Sequence, residues 1–219
     1  MEQPQRQHAL WRDEYWLLLM QVYHQKPVGL KPTYSRQMVS LAMEIHISPR
    51  ELYERAFRLR TLPTTELRRI WDIYNANPRR LAKECARIRG MEGFGKASIF
   101  YEGVEQNMSF ERLFLPVERR ENIKPVMLIM ILDLYFQLTT ITMVEETPEV
   151  IDLARCMRIK PKDVVEVLTI YQTFDPCLSR SPLETTPLVR ECEDIWHRFG
   201  NDSPDTLSSV AHEMVEYFR

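Results

Sequence analysis

The sequence predicts an all-α chain built from two tandem repeats of a roughly five-helix module. Three observations carry that reading. Apolar residues recur at helical spacing along most of the chain. Prolines outnumber glycines, 14 to 6. The order of apolar positions, caps and prolines in the first half returns in the second. Proline suits the first turn of a helix, and scarce glycine leaves few residues for positive-φ hairpin turns. With 219 residues, 44% hydrophobic and 27% charged, the chain can bury a sizeable core and does not read as disordered.

The elements follow in order. Trp11, Tyr15, Leu18, Leu19 and Val22 form the stripe of a first amphipathic helix. Pro27, Gly29 and Pro32 break it. Ser35 stands as the cap of a second helix carrying Met38, Val39, Leu41, Ala42 and Ile45. Ser48-Pro49 is a cap followed by proline at the first helical position, and opens a third helix through Leu52, Ala56 and Leu59. Pro63-Thr64-Thr65-Glu66 opens a fourth, with Leu67, Ile70, Trp71 and Tyr74 on one side, and Asn77-Pro78 opens a fifth toward Ile88. Gly90, Gly93, Gly95 and Gly103 then mark a change of texture. We assign 1–89 to the first helical repeat, 90–122 to a glycine-containing loop and linker, and 123–219 to the second repeat. In the second, Val126–Leu138 is a strongly apolar helix. Thr147-Pro148 and Lys160-Pro161 open the next two, a fourth lies within Pro182–Phe199, and Ser203-Pro204 opens the last.

The repeat is the most specific signal. At an ungapped offset of 112, Tyr23 falls on Tyr135, Leu41 on Leu153, Ala42 on Ala154, Ile47 on Ile159, Pro49 on Pro161 and Leu52 on Val164. At an offset of 125, Ile70-Trp71 falls on Ile195-Trp196 and Tyr74 on Phe199. One residue more brings Pro78 onto Pro204 and Leu81 onto Leu207.

Residues Met38 to Leu52 contain a small Ala42, a turn, and an apolar anchor, Leu52, ten residues after the alanine. Two helices that cross over a short turn need a small residue where their backbones approach. This segment, and Ala154 with Val164 in the second copy, resembles the helix-turn-helix family. His46 and Arg158 occupy the turn position that the family usually fills with glycine. The resemblance implies a non-enzymatic DNA-binding or transcription-regulatory accessory protein that contacts duplex DNA through its first copy. Residues 50–89 hold eleven Arg and Lys against five acids. From these the candidate contacts are Arg50, Arg55 and Arg58 on the third helix, with Arg68, Arg69, Arg79 and Arg80 beyond it.

The alternative expectation is a helical protein-interaction scaffold, with a protein partner or self-association through the second repeat. Charge is unevenly placed, which fits either halves that attract each other or halves that face different partners: residues 1–120 carry 20 bases and 14 acids, net +6, and residues 121–219 carry 9 and 17, net −8. The sequence nominates no catalytic residue, metal ligand or cofactor. Gly90 to Lys96 has the spacing of a phosphate-binding loop, but Ala97 stands where Ser or Thr would hold Mg²⁺. Cys177, Cys192, His197 and His212 lack a close cysteine pair and read poorly as a zinc site. No apolar run reaches the roughly 20 residues needed to span a bilayer. Cys85, Cys156, Cys177 and Cys192 read as reduced, mostly buried thiols, so the expected location is cytoplasmic.

Overall fold

A computed structural model describes residues 11–95, 110–178, 180–181, 183–201 and 203–219. Among them are ten α-helices and no strand. The chain divides into two compact units, Met1–Gln106 and Asn107–Arg219.

Unit 1 holds α1 (Tyr15–His24), α2 (Arg36–Ile45), α3 (Pro49–Thr61), α4 (Thr65–Tyr74) and α5 (Pro78–Arg89). α1 is apolar nearly all round and buries Tyr15, Trp16, Leu18, Leu19, Met20 and Val22, as a central helix must. α2, α3 and α5 pack around it. Trp11, expected within the first helix, lies ahead of it. Its ring still meets those of Trp16 and Tyr15 edge-on, at 4.9 and 5.9 Å. The apolar stripe therefore reported burial correctly and the helix start wrongly.

The α2–α3 junction is a three-residue turn. His46 takes the left-handed conformation at φ 57° and ψ 36°. Ile47 N–H donates to the Ala42 carbonyl at 3.2 Å. Ser48 Oγ accepts from Glu51 N–H at 3.3 Å, and Pro49 occupies the first helical position. Ala42 and Leu52 are both fully buried at the crossing. Of the expected caps, Thr64 and Asn77 also accept from their helices, at 3.2 and 3.1 Å. Ser35 precedes α2 as expected, yet its hydroxyl makes no cap bond and is buried with no partner among the described residues.

Unit 2 holds a 3-10 turn at Phe110–Phe114, then α6 (Pro125–Gln137), α7 (Pro148–Met157), α8 (Pro161–Phe174), α9 (Pro187–Phe199) and α10 (Pro204–Val215). α6 is the central helix and buries every residue from Pro125 to Leu132. All four following helices pack against it. The α7–α8 junction repeats the α2–α3 geometry. Arg158 sits at φ 59° and ψ 38°. Ile159 N–H donates to the Ala154 carbonyl at 3.0 Å, and Pro161 opens α8. Thr147 precedes α7 but gives its hydroxyl proton to the Thr142 carbonyl instead of capping the helix.

Aromatic packing matches as well. In unit 1 the Trp71 ring lies 5.6 Å from Tyr23 and 5.6 Å from His24, at interplanar angles of 81° and 31°. In unit 2 the Trp196 ring lies 5.7 Å from Tyr135 and 5.8 Å from Phe136, at 76° and 30°. Trp196 and Phe199 are buried, whereas Trp71 and Tyr74 are half-buried.

The left-handed residue costs a non-glycine side chain about 1–2 kcal/mol, part of which glycine would lose again to its freer unfolded state. Arg158→Gly is therefore expected to stabilise the chain by about 0.5–1 kcal/mol in urea unfolding. His46→Gly gains less, because His46 Nε2 lies 2.9 Å from the Gly95 carbonyl and that bond is lost. A drop in the urea midpoint of Arg158→Gly would contradict the strain argument.

Candidate nucleic-acid interface

The two units differ in charge. Unit 1 has 17 Arg and Lys against 12 acids, net +5, and unit 2 has 12 against 19, net −7. The excess in unit 1 lies on α5 and, less, on α3, whereas on α4 the exposed Glu66 and Asp72 balance Arg68 and Arg69; the structure separates the expected contacts into two groups.

α3 contributes less than its sequence promised. Arg55 is turned inward, its side chain only 13% exposed. Its Nη1 lies 3.2 Å from Glu51 Oε1, and its guanidinium carbon sits 4.4 Å above the Trp11 ring. Stacking plus an ion pair holds it away from any large ligand. Arg58 is half-buried. Arg50 is exposed, and the rest of the solvent face is mixed: Glu54, Phe57 and Arg60.

α4 and α5 pack together, and α5 carries the denser positive charge. Arg68, Arg69, Arg79 and Arg80 are all exposed, and so is Lys83. Arg68 Nε donates to the Leu62 carbonyl at 3.0 Å, and the Arg80 guanidinium lies 5.3 Å from the Tyr74 ring centre. Both anchors leave the charge at the surface. Lys83 stands one helical turn from Arg79 and Arg80, on the same face of α5. Exposed Ala82 and Ala86 beside them leave room for close approach. No carboxylate pairs with Arg50, Arg58, Arg68, Arg69, Arg79, Arg80 or Lys83 among the described residues. By contrast Arg87 is paired with Glu84 at 2.8 Å, and Arg89 with Glu44 and Gln21. Lys83 was missing from the expected set although its spacing from Arg79 and Arg80 placed it there. No local pattern could reveal that Trp11 covers Arg55.

Gly90 ends α5, so the glycine segment follows a helix rather than the strand that a phosphate loop requires, and Lys96 and Ala97 lie outside the described residues. Among the described residues no three His, Cys, Asp or Glu side chains gather where a metal could sit. Cys85 and Cys192 are fully buried, Cys156 is half-buried and Cys177 exposed, all as free thiols. Burial pushes the Cys85 thiol up to about 11 and raises Cys192 further, so neither is a ready nucleophile. Burial raises the pKa of Asp133, whose Oδ2 accepts from Gln137 Nε2 at 2.8 Å.

Two further features are structural. Lys31 is 4% exposed and donates through Nζ to the Gln25 carbonyl at 2.7 Å and to that of Pro27. Burial, then the Lys31 charge, lowers the pKa of His24, whose buried Nε2 has no partner among the described residues. In unit 2 a groove of about 700 Å³ runs beside Arg119, Arg120, Glu166 and Leu183. Glu166 binds Arg120 through both oxygens, at 2.6 and 2.7 Å, so the strongest charges there neutralise each other. No helix among the described residues is long and apolar enough to cross a membrane.

Comparison of the chain with protein-family models, curated proteins and solved structures returned no match.

Proposed function

We propose that this chain is a non-enzymatic accessory protein that binds duplex nucleic acid through unit 1. The observation that carries the proposal is the exposed cluster Arg68, Arg69, Arg79, Arg80 and Lys83 on α4 and α5, without paired carboxylates among the described residues. Such a surface fits phosphates, which supply most of the affinity and carry no sequence information. The helix-turn-helix-like α2–α3 pair lies in the same unit, but the mixed face of α3 favours backbone contact over base reading.

The same proposal includes duplication of one ancestral unit. The left-handed His46 and Arg158, the Ile47 and Ile159 bonds back to Ala42 and Ala154, and the recurring ring triangles support it. Free thiols fit a reducing compartment, which supports the cytoplasm as location.

The test is a titration of labelled random-sequence duplex with the full chain across a salt series. Five phosphate contacts give a slope of log K against log salt near −4.5, or a loss of about 500-fold between roughly 50 and 200 mM. Absence of binding at the lowest salt would remove the reading.

A further inference from the structure

The edges that follow α1 and α6 are counterparts at the 112-residue offset, and they carry opposite charge. Residues 24–37 contain Lys26, Lys31 and Arg36 and no acid, whereas residues 136–149 contain Glu145, Glu146 and Glu149 and no base. Each edge also holds apolar side chains out in solvent. Val28 is 66% exposed in unit 1; Ile141 is 86% exposed in unit 2, with Phe136 and Val144 beside it in sequence at 45% and 43%.

Neither edge is a loose tip. In unit 1 buried Lys31 ties together the Gln25 and Pro27 carbonyls, and Gly29 N–H donates to the Tyr23 carbonyl at 2.9 Å. In unit 2 the Thr142 N–H and hydroxyl both donate to the Thr139 carbonyl at 2.9 Å. Thr139 N–H returns a bond to Thr142 Oγ1 at 3.1 Å, and Thr147 Oγ1 reaches the Thr142 carbonyl. A braced loop that displays an apolar side chain loses little further entropy on contact, which favours its use as an anchor. Glu145, Glu146 and Glu149 enter no ion pair among the described residues.

We infer that these edges are the two halves of a head-to-tail contact between copies of this chain. The 136–149 edge of one copy receives the 24–37 edge of the next, with Ile141 and Val144 against Val28 and the glutamates facing Lys26 and Arg36. Lys31 stays committed to its own loop. The occupant is a second copy because the complementary charge and the matching apolar group both belong to this sequence, at the corresponding edge. Unlike edges make a heterologous contact, so assembly proceeds by successive addition. The edges are short, so the contact is weak, and its charges make it salt-sensitive. The inference does not depend on nucleic-acid binding, which uses other residues.

Sedimentation velocity of the full chain over about 5–500 μM, at roughly 50 and 500 mM salt, tests it. The weight-average mass rises above 26.1 kDa with concentration at low salt, and much less at high salt. Glu145→Lys/Glu146→Lys/Glu149→Lys is monomeric, because both of its edges are then positive. Lys26→Glu/Arg36→Glu is monomeric, because both of its edges are then negative. Mixing the two variants restores association. A wild-type chain that stays monomeric throughout overturns the inference and leaves the edge to another occupant. Unchanged association of the triple variant, or no association in the mixture, overturns it equally.

Discussion

Trp196→Ala lowers the stability of the chain by about 3–5 kcal/mol, and Trp71→Ala by about half as much. Both indoles meet a tyrosine and a second ring at nearly equal distances and angles. Their surroundings differ. Trp196 is 9% exposed and also lies 6.0 Å from the Tyr171 ring and 6.3 Å from that of Phe174. Trp71 is half-buried, and its second neighbour is an imidazole rather than a phenyl ring. Removal of a large core side chain forfeits its transfer energy and leaves a cavity, whereas a half-exposed site can admit water. Urea unfolding monitored by circular dichroism separates the two variants. Equal losses would mean that ring geometry, not burial, sets the energy.

Ala154→Leu and Ala42→Leu each destabilise the chain by about 1–3 kcal/mol. Both alanines sit at a helix crossing, 1% and 0% exposed. Each also supplies the carbonyl that accepts the bond closing its turn. Three added carbons at such a site force apart helices whose spacing the turn fixes, so strain outweighs the extra apolar burial. Ile47→Val, which keeps that geometry and removes one methylene, costs only about 0.5–1.5 kcal/mol. Thermal unfolding reads all three. Leucine tolerated at both positions without loss would show that the backbones do not approach closely there.

The helical elements were legible because their signals are local. Proline at the first turn set the start of α3, α5, α7, α8 and α10, and the apolar run Val126–Leu138 needed no partner to read as a buried helix. The left-handed turns at His46 and Arg158 were not legible in those residues, since neither is the glycine that such a conformation favours; only the helix signals on either side bracketed them. Contacts distant in sequence were not legible. Trp11 over Arg55 and Trp71 against His24 depend on how α1 meets α3 and α4, which periodicity cannot give. The same limit explains the shift of the positive surface from α3 toward α5. Counting charge found the segment, but only three-dimensional placement separated the inward Arg55 from the outward Lys83.

The salt dependence of duplex binding, compared between the wild-type chain and Arg79→Ala/Arg80→Ala/Lys83→Ala, tests the central claim most directly. The variant removes three exposed charges from α5 and no buried group. The expected result is a slope shallower by about 3 and an affinity reduced on every duplex sequence alike. A variant whose slope and affinity match the wild type would place the phosphate contacts elsewhere and contradict the account.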